Sequence, residues 1–279
     1  MTDPNFMVIG VPKAGTTWLW TVLKQHPDIY VSTEKEINFF NNKLNYSKGI
    51  EWYRHHFSSC THEYAIGEFT PNYLRVIDNK EESELNNSTI NIPSLIYKQY
   101  PNIKLIVSLR DPVKRAVSAY YHHIGSGFLS PFQKFSEVSH IRGITSTGFY
   151  YSHLCKWLKY FNKDQIMILI YEEDILQDKE NTLLRILQFL NVDEFFEPKR
   201  IDRRVNTRKN TLSLFVTYYT KSQTLGNIVA KSPLLRSIDY PKITISQEEM
   251  SMLVRLYAEE NRKLQELLGR NLSVWKHEY

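Results

Sequence analysis

The sequence predicts an α/β fold: a single domain over residues 1–279 with a central, mostly parallel sheet flanked by helices. Three observations predict it. The runs Phe6-Met7-Val8-Ile9, Lys104–Leu109 and Ile166–Ile170 are short and dominated by apolar residues, as strands buried on both faces require. Each is followed by a segment of helical periodicity, and strand–helix alternation puts helices on both faces of a parallel sheet. Finally, 279 residues with 42% hydrophobic and 23% charged side chains can close a full core without a disulfide or a structural metal, which excludes a fibre or a largely disordered chain.

Taken in order, Phe6–Ile9 is the first buried strand, and Thr16–Gln25 is a helix stopped near His26-Pro27. Tyr64–Gly67 is a weak strand, and the polar, Asn-rich stretch Asp78–Asn91 is a surface loop. Lys104–Leu109 is a strong strand, and Pro112–His123 is a helix with proline in its first turn, where a missing N–H costs nothing. Phe128–Ser146 lacks periodicity and reads as a lid or acceptor-side loop. Phe149–Phe161 is amphipathic, Ile166–Ile170 is a buried strand and Lys179–Leu190 a helix. Near the end, Ser246 and Glu249 form a capping box for a helix that runs to Leu268, with Gly269 as its C-cap. No internal repeat or low-complexity tract interrupts this order.

The charge balance, 35 basic against 30 acidic residues for a net +5, suits an anionic ligand and falls short of the basic footprint of a nucleic-acid binder. Cys60 and Cys155 are the only cysteines; they read as free thiols of a reducing compartment. They cannot build a Cys-rich zinc site, and the histidines lack zinc spacing, so no metal is expected. No apolar run reaches the roughly 18–20 residues of a membrane span, and the N-terminus lacks the apolar stretch of a secretory signal. The expectation is a cytoplasmic protein without stable membrane insertion, bacterial in style or the catalytic part of a longer chain.

The segment Gly10-Val11-Pro12-Lys13-Ala14-Gly15-Thr16-Thr17-Trp18 leaves a buried strand and opens a helix. That geometry aims backbone N–H groups and the positive helix end at one spot and makes an anion site. Gly10 and Gly15 have the spacing of the nucleotide P-loop, G-x-x-x-x-G-K-[ST], but Thr16 stands where its lysine belongs, and the loop's only lysine is Lys13. A nucleotide triphosphatase without that lysine loses its hold on the terminal phosphates, so the loop suits another phosphorylated donor. Arg110 ends the strand Lys104–Leu109, where ligands bind in open α/β sheets. Ser118 follows eight residues later, about two helical turns on. Guanidinium and hydroxyl can grip one phosphate, the arginine by a bidentate fork. Simpler readings stay open: a tight turn at Gly15, Arg110 paired with Asp111, and Ser118 as a small packing residue. A P-loop small-molecule kinase and an inactive nucleic-acid or anionic-glycan binder are the rival functions.

Pro12–Leu19 resembles the 5′-phosphosulfate loop of sulfotransferases that use 3′-phosphoadenosine 5′-phosphosulfate (PAPS), and Arg110–Ser118 is similar to their 3′-phosphate motif, R-D-P-x-x-R-x-x-S. Lys35-Glu36-Ile37-Asn38-Phe39-Phe40 resembles the K-E-x-H-F-F segment of heparan-sulfate and related carbohydrate sulfotransferases, and Gly67–Tyr73 their E-K-S-P-x-Y segment. Tyr150–Val192 and Leu264–Trp275 follow the family pattern too. Three departures stand out. Asn38 replaces a histidine, Phe69 replaces the lysine of E-K-S-P, and the basic C-terminal loop that covers the 3′-phosphate has no clear counterpart. Arg203–Lys209 is the candidate replacement.

The resemblance implies a P-loop-like sulfotransferase fold and transfer of a sulfuryl group from PAPS to an acceptor hydroxyl of a sugar or small alcohol. It places PAPS on Lys13, Ala14, Gly15, Thr16, Thr17, Trp18, Arg110 and Ser118, with Arg208 and Lys209 added from the basic run. Lys13 would stabilise the leaving oxygen, and Glu36 would take the acceptor proton. His122, four residues after Ser118 on the same helical face, is the second candidate base. Asn38 and Phe69 point to an acceptor less anionic than a heparan chain.

Overall fold

The computed structural model describes residues 2–77, 91–199, 201, 211–232 and 243–277. They group into two compact units. The first comprises the described residues of Met1–Asp111, Phe149–Arg203 and Glu260–Trp275. It holds five parallel strands, β1 (Phe6–Gly10), β2 (Ile29–Val31), β3 (Ala65–Phe69), β4 (Lys104–Leu109) and β5 (Ile166–Ile170). Their order across the sheet is β2-β3-β1-β4-β5. From β1 the chain passes out to the β2 edge, returns to β3, and then crosses to the other side of β1 to form β4. The loops after β1 and β4 therefore leave neighbouring strand ends at a topological switch point, the place where open α/β sheets bind ligands.

The strands sort their side chains with period two. Met7 and Ile9 of β1 join Leu105, Val107 and Leu109 of β4 in one core. Phe6 and Val8 join Ile106 and Leu169 in the other. Each core is closed by helices: Tyr150, Leu154 and Trp157 of the helix Tyr150–Trp157 in the first, and Leu183, Ile186 and Leu187 of the helix Lys179–Leu190 in the second. These strands and helices agree with the periodicity of the sequence to within a few residues. Elements of this unit that escape it include the three-residue edge strand β2, the short helices Lys43–Tyr46 and Ile50–His55, and the helix Ile92–Gln99, capped by the Asn91 side chain, which accepts from the Ser94 N–H at 3.2 Å. The loop read over Asp78–Asn91 lies outside the described residues up to position 90.

The second unit comprises the described residues of Pro112–Gly148, Arg204–Glu259 and Lys276–Tyr279. It contains the helices Pro112–Gly125, Thr211–Thr220 and Gln223–Lys231, the last two unforeseen in the sequence. The stretch Phe128–Ser146 is less irregular than its composition suggests, because it holds the short helix Phe135–Val138. Arg115, 1% exposed, donates to the Gly143 and Ile144 carbonyls and pins the end of that stretch. The capping box forms as read: the Glu249 N–H donates to Ser246 Oγ at 3.1 Å, and the Ser246 N–H to Glu249 Oε2 at 2.9 Å. The helix Gln247–Leu268 ends at Gly269 with φ 58°. Cys60 and Cys155 are both free thiols. No described helix is long and apolar enough to cross a membrane.

The second core makes a sharp demand on β3. A Cβ at Gly67 would sit 2.0 Å from the Phe6 ring, which stands edge-on to Phe69 with centroids 6.0 Å apart. Gly67→Ala should therefore displace the ring and cost about 1–3 kcal/mol through overpacking, read as a lower urea midpoint; an unchanged midpoint would contradict this packing.

Candidate functional site

The turn after β1 is built to carry an anion. Lys13 and Gly15 both take left-handed backbone, φ 73° and 82°. At Gly15 a side chain is excluded twice, by that φ and by Ile175 and Tyr171 at 3.0 and 3.1 Å from a would-be Cβ. The helix Thr16–Leu23 starts directly behind it. Its first-turn amides, at Thr16, Thr17 and Trp18, have no acceptor within a helix and face the space before its end. The turn is pinned from β4 as well: the Val11 N–H donates to the Ser108 carbonyl at 2.9 Å, and Ser108 Oγ donates to the Ala14 carbonyl at 2.6 Å.

Arg110, the residue after β4, completes this arrangement. Its Nη1 donates to the Lys13 carbonyl at 2.9 Å, its guanidinium carbon lies 5.2 Å from the centre of the Tyr171 ring, and Tyr150 Oη donates to its carbonyl at 2.8 Å. Its Nε is buried and has no hydrogen-bond partner among the described residues. A buried guanidinium donor of this kind calls for an anionic acceptor.

The segment after β2 brings a second cation and a carboxylate. Lys35 Nζ donates to Thr17 Oγ1 at 2.8 Å and lies 3.7 Å from Glu36 Oε1. Glu36 is held by its own amide, which donates to the Phe69 carbonyl at 2.9 Å, while its side chain stays 43% exposed. Phe39 and Phe40 are buried and anchor the segment, as the sequence suggests. Burial lowers the Lys13 ammonium below its usual range; the positive charges of Arg110 and Lys35 add to this and Glu36 opposes it. Burial lowers Lys35 too, again against the pull of Glu36. Lys13, Lys35, Arg110 and Glu36 thus form one electrostatic cluster in which two lysines are kept less willing to hold a proton until an anion arrives.

The structure brings together Lys13, Ala14, Gly15, Thr16, Thr17, Trp18, Glu36 and Arg110 in the first unit. Ser118 and His122 sit on the helix Pro112–Gly125 of the second unit, Ser118 half-buried and His122 exposed. Arg208 and Lys209, with most of the basic run around them, lie outside the described residues. Sequence reasoning missed Tyr171, which follows β5 and faces Arg110, and gave Lys35 no role of its own. Phe69 departs further from the heparan-type pattern than a lost charge, since its ring is wholly buried in the second core.

Residues 3–236 match the sequence profile of the sulfotransferase domain. The chain belongs to the sulfotransferase family. Among curated relatives, it is 31% identical over 200 residues to mouse heparan sulfate glucosamine 3-O-sulfotransferase 5, covering 68% of this chain and 54% of the relative. It is 28% identical over 277 residues to mouse heparan sulfate glucosamine 3-O-sulfotransferase 3A1, covering 96% and 63%. The membrane-associated sulfotransferase kil1 of Dictyostelium discoideum is 41% identical over 124 residues, 43% of this chain and 23% of that protein. The chain thus spans about half the length of the first of these relatives and about a quarter of kil1. The crystal structure of a sulfotransferase from Alicyclobacillus acidocaldarius has the same fold, with a TM-score of 0.69 and 23% identity over 99% of this chain and 100% of the other.

One further acidic residue of the family-like segments is buried, Glu68 of β3. Its carboxylate accepts from the hydroxyls of Tyr53, Thr70 and Tyr73 at 2.7, 2.6 and 2.8 Å. Burial pushes its pKa up to about 7, against the opposing pull of those hydroxyls. A carboxyl that titrates higher folded than unfolded holds its proton longer in the native state. Its contribution favours folding below the unfolded value and is lost as pH rises through about 7. Relative to Glu68→Gln, the protein should lose on the order of 3 kcal/mol of stability between about pH 5 and pH 8. Denaturant midpoints across that range check it, and a constant difference would contradict the shift.

Proposed function

We propose that this chain is a PAPS-dependent sulfotransferase that moves the sulfuryl group to a sugar hydroxyl by in-line displacement. The observation that carries the reading is the convergence of Lys13, Arg110 and the Thr16–Trp18 amides on one anion site, with a carboxylate, Glu36, tied to that site through Lys35 and Thr17. Residues 1–279 act as one sulfotransferase domain in this reading, and the family match through both compact units supports it.

The roles follow from the chemistry. The acceptor oxygen bonds to sulfur as the bond from sulfur to the bridging phosphate oxygen breaks, and adenosine 3′,5′-bisphosphate leaves with the electron pair. Lys13 and the helix-end amides face the oxygen that gains charge, which makes their bonds stronger in the transition state than in the bound substrate. Arg110 holds donor phosphate through its guanidinium. Ser118 joins it at the 3′-phosphate, a role supported by the motif spacing alone. Glu36 takes the acceptor proton; its exposed carboxylate leaves room for an incoming hydroxyl. The similarity to heparan sulfate glucosamine 3-O-sulfotransferases favours an amino-sugar acceptor. Asn38 in place of histidine and the burial of Phe69 in place of lysine leave this segment with fewer cations, which favours a less anionic acceptor than heparan sulfate.

Glu36→Gln keeps the shape and removes the base. Turnover of PAPS with an N-acetylglucosaminide acceptor should fall about 10²–10⁴-fold, with unchanged affinity for adenosine 3′,5′-bisphosphate. Near-normal turnover would move the base elsewhere, first to His122.

A further inference from the structure

Glu68 has no place in the mechanism above, yet its carboxylate is wholly buried, at 0% exposure. A buried charge persists only where hydrogen bonds compensate it, and here three hydroxyls do so. Two of them have a second task. Once ionised, above about pH 7, the carboxylate only accepts, so it dictates which way each hydroxyl points. Thr70 and Tyr73, having donated to Glu68 Oε1, turn their oxygen lone pairs outward. Tyr73 Oη accepts the backbone N–H groups of Phe39 and Phe40 at 2.9 and 3.2 Å, and Thr70 Oγ1 accepts that of Asn38 at 3.3 Å.

The tethered amides follow Glu36 directly. Glu36 and Asn38 are both in left-handed backbone, φ 64° and 53°, a conformation that side-chain-bearing residues keep only when their surroundings impose it. The Asn38 side chain also donates to the Glu36 carbonyl at 2.5 Å, and the Glu36 amide is bound to Phe69, the residue after Glu68. Strand β3 and its exit therefore fix the Glu36 segment from Glu36 through Phe40.

We propose that Glu68 is a positioning residue for Glu36: through the Tyr73 and Thr70 hydroxyls its carboxylate fixes the backbone of residues 38–40 and so holds the Glu36 carboxylate beside Lys35 and Thr17. The inference rests on the reading of Glu36 as the base. It also explains why the segment like E-K-S-P-x-Y keeps its glutamate and tyrosine while its lysine position becomes a core phenylalanine.

The test compares Glu68→Leu with Glu68→Gln. Leucine removes the acceptor. Glutamine keeps one oxygen for Thr70 and Tyr73 and turns its amide toward Tyr53, so the relay survives. Turnover with PAPS and an N-acetylglucosaminide is measured together with hydrogen exchange of residues 36–40. Glu68→Leu should lower kcat about 10²-fold, as a misplaced reacting group does, with the donor KM within about threefold of wild type. The amides of Asn38, Phe39 and Phe40 should exchange at least about tenfold faster. Glu68→Gln should restore both within about fivefold of wild type. Glu36→Gln should lower turnover and leave exchange unchanged, which separates the base from its support. Wild-type exchange and kcat in Glu68→Leu, or a Glu68→Gln as impaired as Glu68→Leu, overturns the proposal. Should Glu68→Leu fail to fold, Tyr73→Phe removes only the hydroxyl and must speed exchange at Phe39 and Phe40; unchanged exchange there overturns it equally. Full turnover in Glu36→Gln would remove the base reading, and exchange at residues 38–40 would then decide alone whether Glu68 orders the segment.

Discussion

The chain that leaves β1 has to turn within five residues into the helix Thr16–Leu23, and it does so only by putting Lys13 and Gly15 into left-handed backbone. That turn sets the rest of the site. It aims the first-turn amides outward, and it brings the Lys13 and Ala14 carbonyls within reach of Arg110 and Ser108 from β4. Strand order makes this possible: β4 lies beside β1 because the chain changes direction across the sheet there. The anion site is thus a consequence of sheet topology and one strained turn, and the side chains that add charge are fitted to a backbone already in place.

Two cations close to each other are expensive without an anion between them. Lys13 and Arg110 sit in a half-buried setting where burial and mutual repulsion lower the lysine's hold on its proton. Glu36 opposes this directly, while the nearby charge of Lys35 adds to it. An anion arriving here would relieve the same repulsion, so on the proposed function donor binding and the electrostatics of Glu36 are linked through one cluster. Lys35 is the shared member, bonded to Thr17 on one side and paired with Glu36 on the other.

Much of this was legible in the sequence, for identifiable reasons. β1, β4 and β5 are buried on both faces, so their composition alone marks them. The capping box at Ser246 and the stop at Gly269 are local chemistry that tertiary context left untouched. The motifs singled out the turn after β1 and Arg110, which the fold places side by side, because a phosphate-binding role needs particular residues at particular spacing. What escaped was set by long-range contact. Strand β2 has three residues and exists because β3 pairs with it. Tyr171 reaches Arg110 from the end of β5, far away in sequence. Glu68 stands out in the sequence only as part of the segment like E-K-S-P-x-Y, and the fold alone shows that Tyr53, Thr70 and Tyr73 converge on it. Ser118 and His122 share a helix face, but that helix belongs to the second unit, so their roles rest on motif spacing.

On the proposed function, the turn after β1 and Arg110 bind the phosphates of PAPS and do not serve a nucleoside triphosphate. Titration calorimetry with adenosine 3′,5′-bisphosphate, alone and in competition with ATP and magnesium, tests it most directly. The expected result is saturable binding of the bisphosphate, undisturbed by ATP–magnesium, and loss of about 2–4 kcal/mol of binding in Arg110→Ala. Tighter binding of ATP–magnesium, or an affinity for the bisphosphate that Arg110→Ala leaves unchanged, would contradict it.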